Sequence, residues 1–348
     1  MPDTPAAAGI GGLLDAAAAV VPCFRKGGAG EVLILPHNDP DPDAIASAVA
    51  LKHLLEARLA ARVHIAYHGI IGRAENRALV RYLGSPLRRI TSTDLESGGV
   101  IALVDTQPGA GNNPLPPDVT PHIVVDHHPL REPTASAAFA DVRPGLGATS
   151  TILVEYLDAA GVDVSAQLAT ALFYGIKSDT FGLARSAGPE DAAAYFGLQP
   201  LLDVEGLIGI EHAQVPADYF RHLCAALTGA RVYDGIVVAS IGPMAYPDLA
   251  AEISDILLRL EKTRWVVCMG LHSETLIISV RCRLRSGNAG HMVQAVVGSQ
   301  GIAGGHDSMA AGHVALGEQT PEALTAELTQ RILHTLKVPP DTVGRPLI

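Results

Sequence analysis

The chain has 348 residues, 48% apolar and 18% charged, which is enough for two domains with their own cores and is not the make-up of a disordered chain. The formal net charge is −11 and no basic run interrupts it; a long nucleic-acid duplex, normally met by a strongly positive surface, is excluded as the expected partner. Cys23, Cys224, Cys268 and Cys282 are scattered without CxxC spacing, which argues against a thiolate metal site or disulfide framework and makes a reducing cytoplasm the expected compartment.

The opening stretch "MPDTPAAAGIGGLLDAAAAVVPCF" is apolar but lacks a basic leader and is broken by Asp3 and Asp15. It reads as an amphipathic first helix rather than a signal peptide. No apolar run reaches the length that spans a bilayer. The N-terminal half then alternates strands and helices. "EVLILP" (31–36) is a strand, followed by a helix over 44–57; "RVHIAYH" (62–68) is a strand and "AENRALVRYLG" (74–84) a helix. "GVIALVD" (99–105) and "HIVVDHH" (122–128) are apolar runs that end in aspartate, and 148–161 and 166–180 are helices. Uniformly apolar strands alternating with helices predict a parallel sheet covered on both faces.

The segment 191–228 reads as a helical linker between a domain over 1–190 and a smaller α/β domain over 229–340. In the latter, 231–242 is a strand and 246–263 a helix with Pro247 in its first turn. Residues 264–286 form a β-hairpin around His272–Glu274, and 290–301 a short helix. The glycine-rich "GIAGGHDSMAAG" follows, and a closing helix begins at "PEALTAEL".

Chemistry gathers where the N-terminal strands end. In open α/β sheets ligands bind beyond the carboxyl ends of the strands, and here those ends carry "HNDPDPD", "VDTQ" and "VDHH". Asp179 sits on the apolar stripe of the helix ending in "GIKSDT", where a carboxylate is costly unless paired or bound to metal. One strand-end aspartate is commonly a turn or helix cap, but four clusters at one edge would repel each other unless divalent cations held them. Carboxylate and imidazole ligands without cysteine suit Mn²⁺ or Mg²⁺ better than structural zinc. Asp43 occupies the expected N-cap position, and Pro40 and Pro42 bias Asp39 and Asp41 towards extended backbone. Ser47 is either a hydrogen-bond donor into this site or a plain helix residue. Arg73, Gln107 and Asn112 either line the cleft or serve caps and loops. In "SVRCRLRSG", Arg281, Arg283 and Arg285 alternate with apolar residues, placing three guanidinium groups on one strand face as a local anion trap or a solvated sheet face.

"HNDPDPDAIAS", "VDTQ", "VDHH" and "GIKSDT", taken in order, resemble the motifs of the DHH phosphoesterase superfamily, and "GIAGGHDSMAAG" resembles the signature of its DHH-associated C-terminal domain. The resemblance runs from about residue 30 to 337. Within the superfamily it is nearest the nanoRNase, 3′-phosphoadenosine 5′-phosphate phosphatase and cyclic-dinucleotide phosphodiesterase group. It implies an N-terminal DHH domain with a mostly parallel sheet flanked by helices, a C-terminal substrate-binding domain, and an active site in the cleft between them. It further implies two Mn²⁺ ions, with Mg²⁺ or Co²⁺ as substitutes. His37 and Asp41 would hold one ion, Asp43, His127 and Asp179 the other, and Asp105 would bridge them. His128 would touch the scissile phosphate and Asp126 would orient His127. A metal-bridging hydroxide would be the nucleophile, and Gly304, Gly305 and His306 would grip the substrate with the arginines. Asp39 is left outside the site as a solvated turn residue, and Ala303 and Asp307 depart from the commoner glycine and lysine.

The activity implied is hydrolysis of small nucleotides, foremost short oligoribonucleotides and linear dinucleotides to 5′-mononucleotides. Cyclic-dinucleotide cleavage and 3′-phosphoadenosine 5′-phosphate dephosphorylation are alternatives. A manganese pyrophosphatase or polyphosphatase, or an inactive nucleotide-binding regulator, stands further off. No membrane partner is expected, and family members often pair as homodimers.

Overall fold

A computed structural model describes residues 5–20, 30–59, 61–95, 99–284, 287–305 and 307–348. The chain divides into two compact units, Met1–Ala213 and Gln214–Ile348.

In the first unit the chain runs α1 (Pro5–Val20), β1 (Gly30–Pro36), α2 (Pro42–Arg58), β2 (Ala61–Tyr67), α3 (Ala74–Tyr82), β3 (Leu87–Arg89), β4 (Val100–Val104), β5 (Ile123–Asp126), β6 (Phe139–Val142), α4 (Thr149–Ala159), α5 (Ala166–Asp179), α6 (Pro189–Leu198) and α7 (Val204–Glu211). The strands form one parallel sheet in the order β3-β2-β1-β4-β5-β6. From β1 the chain builds outwards to β2 and β3, then returns to lay β4 on the other side of β1. The junction of β1 and β4 is therefore the switch point of the sheet, the place where such folds leave a crevice.

Side-chain alternation divides the strands between two cores. Val32, Ile34, Val100, Ala102, Ile123 and Val125 face the helices, with Ile45, Leu51, Leu54, Ile152, Leu172 and Ile176 packed on them. Leu33, Leu35, Ile101, Leu103 and Val124 face the other way, under Ile90, Leu95, Leu115 and Val119 from loops and turns. Among the described residues the second face is thus covered by loops and 3-10 turns rather than by a second helix layer.

The second unit contains α8 (Ala217–Gly229), β7 (Arg231–Tyr233), β8 (Ile236–Pro243), α9 (Leu249–Leu257), β9 (Trp265–His272), β10 (Thr275–Cys282), α10 (Ala289–Val297), β11 (Gly301–Gly305), β12 (Met309–Ala315), α11 (Pro321–Thr335) and β13 (Arg345–Pro346). Its sheet has the order β11-β12-β10-β9-β8-β7-β13, antiparallel except where β8 meets β9. Trp265, Val267 and Met269 pack with α10 and α11. Val266 and Cys268 pack on the opposite face with α8 and α9.

Three expectations change. The segment 231–242 is a hairpin, not one strand, because Asp234 (φ 42°) and Gly235 (φ 79°) make a two-residue turn with both centres left-handed. The helix expected over 246–263 covers only α9. The 191–228 linker is shared between the units: Ala194, Leu198 and Ile210 are buried in the first core, and Ala226 in the second. The glycine-rich stretch is partly strand, β11, at the sheet edge.

Candidate metal centre

The turn after β1 places the first candidate ligands. Pro42 begins α2, and Asp41 is its N-cap, extended at φ −89° and accepting from the Ala44 N–H at 3.0 Å. Asp43, expected at the cap, lies inside the first turn instead. Its carboxylate is fully buried and points across to the N-terminus of α4, where Oδ2 accepts from the Thr149 N–H at 2.7 Å and Oδ1 from the Ser150 N–H at 2.8 Å. Ala148, the N-cap of α4, has no side-chain oxygen, so Asp43 caps that helix from a distance. Ser47 donates to Asp43 Oδ1 at 3.4 Å. Gly175 in α5 makes this approach possible: a Cβ there would lie 2.6 Å from Ser150 Oγ and 3.2 Å from Asp43 Cα.

Asp105 follows β4 with φ 59°, a left-handed conformation that costs a non-glycine residue free energy and is concentrated at functional sites. It is 1% exposed, and its two oxygens diverge. Oδ2 lies 3.5 Å from His37 Nε2, while Oδ1 lies 3.5 Å from His127 Nε2 and accepts from Thr149 Oγ1 at 2.8 Å. His127 Nε2 is also 3.5 Å from Asp179 Oδ2 at the end of α5. Three sets of atoms that could hold a metal ion result, the atoms of each set within 4.8 Å of one another: His37–Asp41–Asp105, Asp43–His127–Asp179, and Asp105–His127–His128.

The donor set fits divalent cations. His37 Nδ1 is 2.7 Å from the Asn38 carbonyl and His127 Nδ1 is 3.1 Å from the Leu146 carbonyl. A carbonyl only accepts, so both rings are donors at Nδ1 and turn Nε2 towards the carboxylates, as metal-ligating histidines do. His127 Nε2 is buried with no hydrogen-bond partner, which is expensive unless something binds it. Burial alone would lower the His37 pKa, but Asp41 and Asp105 outweigh it and hold the imidazole at about 10. Burial would lower His127 too, but Asp179, Asp105 and Asp43 raise it well above its ordinary range. Burial first, then Asp105 and Asp179, push Asp43 well up, and burial with Asp41 lifts Asp179 to about 6. Acids driven up together with bases driven up mark a site short of positive charge.

Asp126 corrects the implied pairing. Its Oδ1 accepts from His128 Nδ1 at 2.8 Å and from the His127 and His128 N–H groups, so the ring it orients is His128, while a backbone carbonyl holds His127. Burial would raise Asp126, but His128 and Gln107 bring it below the usual carboxylate range. Gln107 is buried as the hub of this loop. Its amide donates to Asp126 Oδ2 at 2.6 Å, and its oxygen accepts from the Arg131 N–H and from Thr134 Oγ1 at 2.8 Å each. Asn112 likewise serves the loop, accepting from the Asn38 N–H and from Thr106 Oγ1.

Asp39 belongs to none of the three ligand sets, yet it is no solvated turn residue. At φ 54° it breaks the extended bias set by Pro40, and its Oδ1 accepts from the Ile70 N–H at 2.6 Å, tying the β1 and β2 turns together. Sequence reasoning missed Thr149 and Ser150. Their only signal was the small polar pair opening α4.

Among the described residues, the arginine face expected in the second unit does not form. Arg281 points inwards on β10 and is 8% exposed, with Nε 2.5 Å from Asp255 Oδ1 on α9. Arg283 lies beyond the strand end and donates to the Leu258 carbonyl at 2.6 Å. Arg285 and His306 lie outside the described residues. Gly304 and Gly305 pair with Ala311 and Ala310, and a Cβ on Gly305 would sit 2.4 Å from Ala310 Cα. Asp307 accepts from the side chain of Asn288, the N-cap of α10, at 2.9 Å.

Residues 31–176 match the family described as "DHH family, N-terminal domain". The chain is 37% identical over 290 residues to an uncharacterized protein of Methanocaldococcus jannaschii, across 82% of its own length and 58% of that protein's. It is 28% identical over 200 residues to a probable manganese-dependent inorganic pyrophosphatase of Listeria monocytogenes, across 57% of this chain and 64% of that one. The chain therefore spans less than two thirds of the length of either relative. Its fold is similar to the crystal structure of an exopolyphosphatase-related protein from Bacteroides fragilis, with a TM-score of 0.71 at 18% identity, over 92% of this chain and 98% of that one.

Proposed function

We propose that this chain, whose residues 31–176 match the N-terminal domain of the DHH family, hydrolyses phosphoester bonds of small nucleotides, using divalent cations held by His37, Asp41, Asp43, Asp105, His127 and Asp179. The observation that carries this reading is Asp105, a single buried carboxylate that presents one oxygen to His37 and the other to His127. Cations bound there would supply Lewis-acid polarisation of a phosphoryl oxygen and an activated water.

The chain's own groups do the rest. Asp126 fixes His128 through Nδ1, which leaves Nε2 as the nitrogen that would donate to a phosphoryl oxygen. Burial works against a charged ring, but Asp126 and Asp105 raise the His128 pKa. His128 is then the positive group that meets charge developing on the phosphate. Gln107 holds Asp126 from its other oxygen and keeps this pair from turning.

Two exposed apolar side chains support a nucleotide over inorganic pyrophosphate. Leu130 is 67% exposed and Phe181 77% exposed, each two positions beyond a site residue, His128 and Asp179. A nucleobase offers a flat face for such groups, and pyrophosphate has none. The acidic chain favours short substrates over long polyanions. We therefore place short oligoribonucleotides first, cut to 5′-mononucleotides, with cyclic dinucleotides and 3′-phosphoadenosine 5′-phosphate sharing the chemistry. In the second unit the described candidates for substrate contact are Arg283, Gly304 and Gly305, because Asp255 neutralises Arg281. Product analysis with Mn²⁺ and a panel of 5′-phosphorylated diadenylate, cyclic diadenylate, 3′-phosphoadenosine 5′-phosphate and pyrophosphate tests the reading. It expects 5′-AMP from the linear dinucleotide. Turnover of pyrophosphate alone would overturn the nucleotide assignment, and turnover of nothing would overturn hydrolysis.

A further inference from the structure

Thr149 opens α4 and is fully buried. Its N–H donates to Asp43 Oδ2 at 2.7 Å and its hydroxyl donates to Asp105 Oδ1 at 2.8 Å. One residue thus grips a carboxylate from each of two ligand sets. A carboxylate can rotate about its Cβ–Cγ bond, and Asp105 works as a link only if one oxygen faces His37 and the other faces His127. The Thr149 hydroxyl pins Oδ1 on the α4 side, which turns Oδ2 to its 3.5 Å approach to His37 Nε2. Asp43 is fixed by the same helix end, where its two oxygens take the Thr149 and Ser150 N–H groups that Ala148 cannot cap.

We propose that Thr149 is a positioning residue that holds Asp43 and Asp105 in one relative orientation, so that Asp105 links the sets of His37 and His127 and these bind divalent cations as a unit. This rests on the reading that these sets bind such cations. The hydroxyl is the working part, because the backbone N–H survives any substitution except proline.

The test compares wild type, Thr149→Val and Thr149→Ser. Each is checked by thermal unfolding, then titrated with MnCl₂ by calorimetry and by electron paramagnetic resonance. Valine keeps the shape and removes the hydroxyl; serine keeps the hydroxyl. Loss of an outer-shell partner lowers metal affinity by about 10- to 100-fold, so valine is expected to weaken Mn²⁺ binding by that amount and to abolish the spin-coupled signal of neighbouring Mn²⁺ ions. Serine is expected to restore both. If valine does not fold, Thr149→Ala provides the same comparison. Wild-type affinity and spectrum in the valine variant, or a serine variant as impaired as valine, would overturn the role of the hydroxyl. A wild type that binds no Mn²⁺ would instead overturn the metal reading itself, and this inference with it.

Discussion

Gly175 lies inside α5, where an alanine would ordinarily be the better residue by about 1 kcal/mol. The surroundings reverse that sign. An added Cβ would meet Ser150 Oγ at 2.6 Å, Asp43 Cα at 3.2 Å and Asp43 Oδ1 at 3.3 Å. The serine hydroxyl can rotate away, but the Asp43 backbone is locked in the first turn of α2 and its carboxylate is held by two N–H groups of α4. Overpacking of this kind costs about 1–3 kcal/mol, and weakening either charge-assisted bond to Asp43 adds about 1.5 kcal/mol or more. Against the helix gain, Gly175→Ala should destabilise the protein by roughly 2 kcal/mol, or about 4–8 °C in the melting temperature of a unit this size. Calorimetric scans of the metal-free protein measure the shift, and Mn²⁺ titration of the same variant should show weaker binding. A variant as stable as wild type or more so, with unchanged Mn²⁺ affinity, would refute the argument that α5 must touch Asp43 this closely.

Asp39→Asn should leave folding and metal affinity nearly unchanged, because asparagine tolerates φ 54° and keeps an oxygen for the Ile70 N–H. Asp39→Ala should cost about 1–3 kcal/mol by leaving that donor unpaired, read by urea unfolding. Mn²⁺ binding near pH 7.5 should release about one to two protons. His37, held at about 10, and His127, also raised, are protonated in the metal-free protein and must lose that proton to offer Nε2. Affinity should therefore rise with pH across the neutral range, and calorimetry in buffers of different ionisation enthalpy would contradict this by showing no proton exchange. Burial pushes the Cys268 thiol up to about 12, while Cys224 is exposed. A thiol reagent at pH 8 should label Cys224 at once and Cys268 only after unfolding, as mass mapping would show.

The first ligand turn was legible because its signals are local: an apolar strand, a proline at the first helical position, and acids between two buried runs. The strand ends at Asp105 and Asp126 were legible for the same reason. What separates Asp41 from Asp43 was not, since either could cap α2, and only the position of α4 decides that Asp43 reaches across. The partner of Asp126 depends on the rotamers of two adjacent histidines, which no spacing encodes. The edge strands β3 and β6 escaped notice because "LRR" is short and polar, and "FADV" is broken by Asp141. The hairpin of β7 and β8 was readable from "YDGI", whose Asp-Gly pair is a strong turn signal. Arg281 misled because alternation on a strand identifies a face but not what packs on it. Here that is α9 with Asp255.

Phosphoester hydrolysis is proposed to depend on divalent cations held in part by Asp105. The direct measurement is 5′-AMP release from 5′-phosphorylated diadenylate with Mn²⁺, for wild type and Asp105→Ala side by side, with Mn²⁺ content measured on each. Wild type should bind Mn²⁺ and turn the dinucleotide over, and the variant should lose both. Turnover retained in Asp105→Ala, or a Mn²⁺-loaded wild type that hydrolyses no phosphoester, would contradict it.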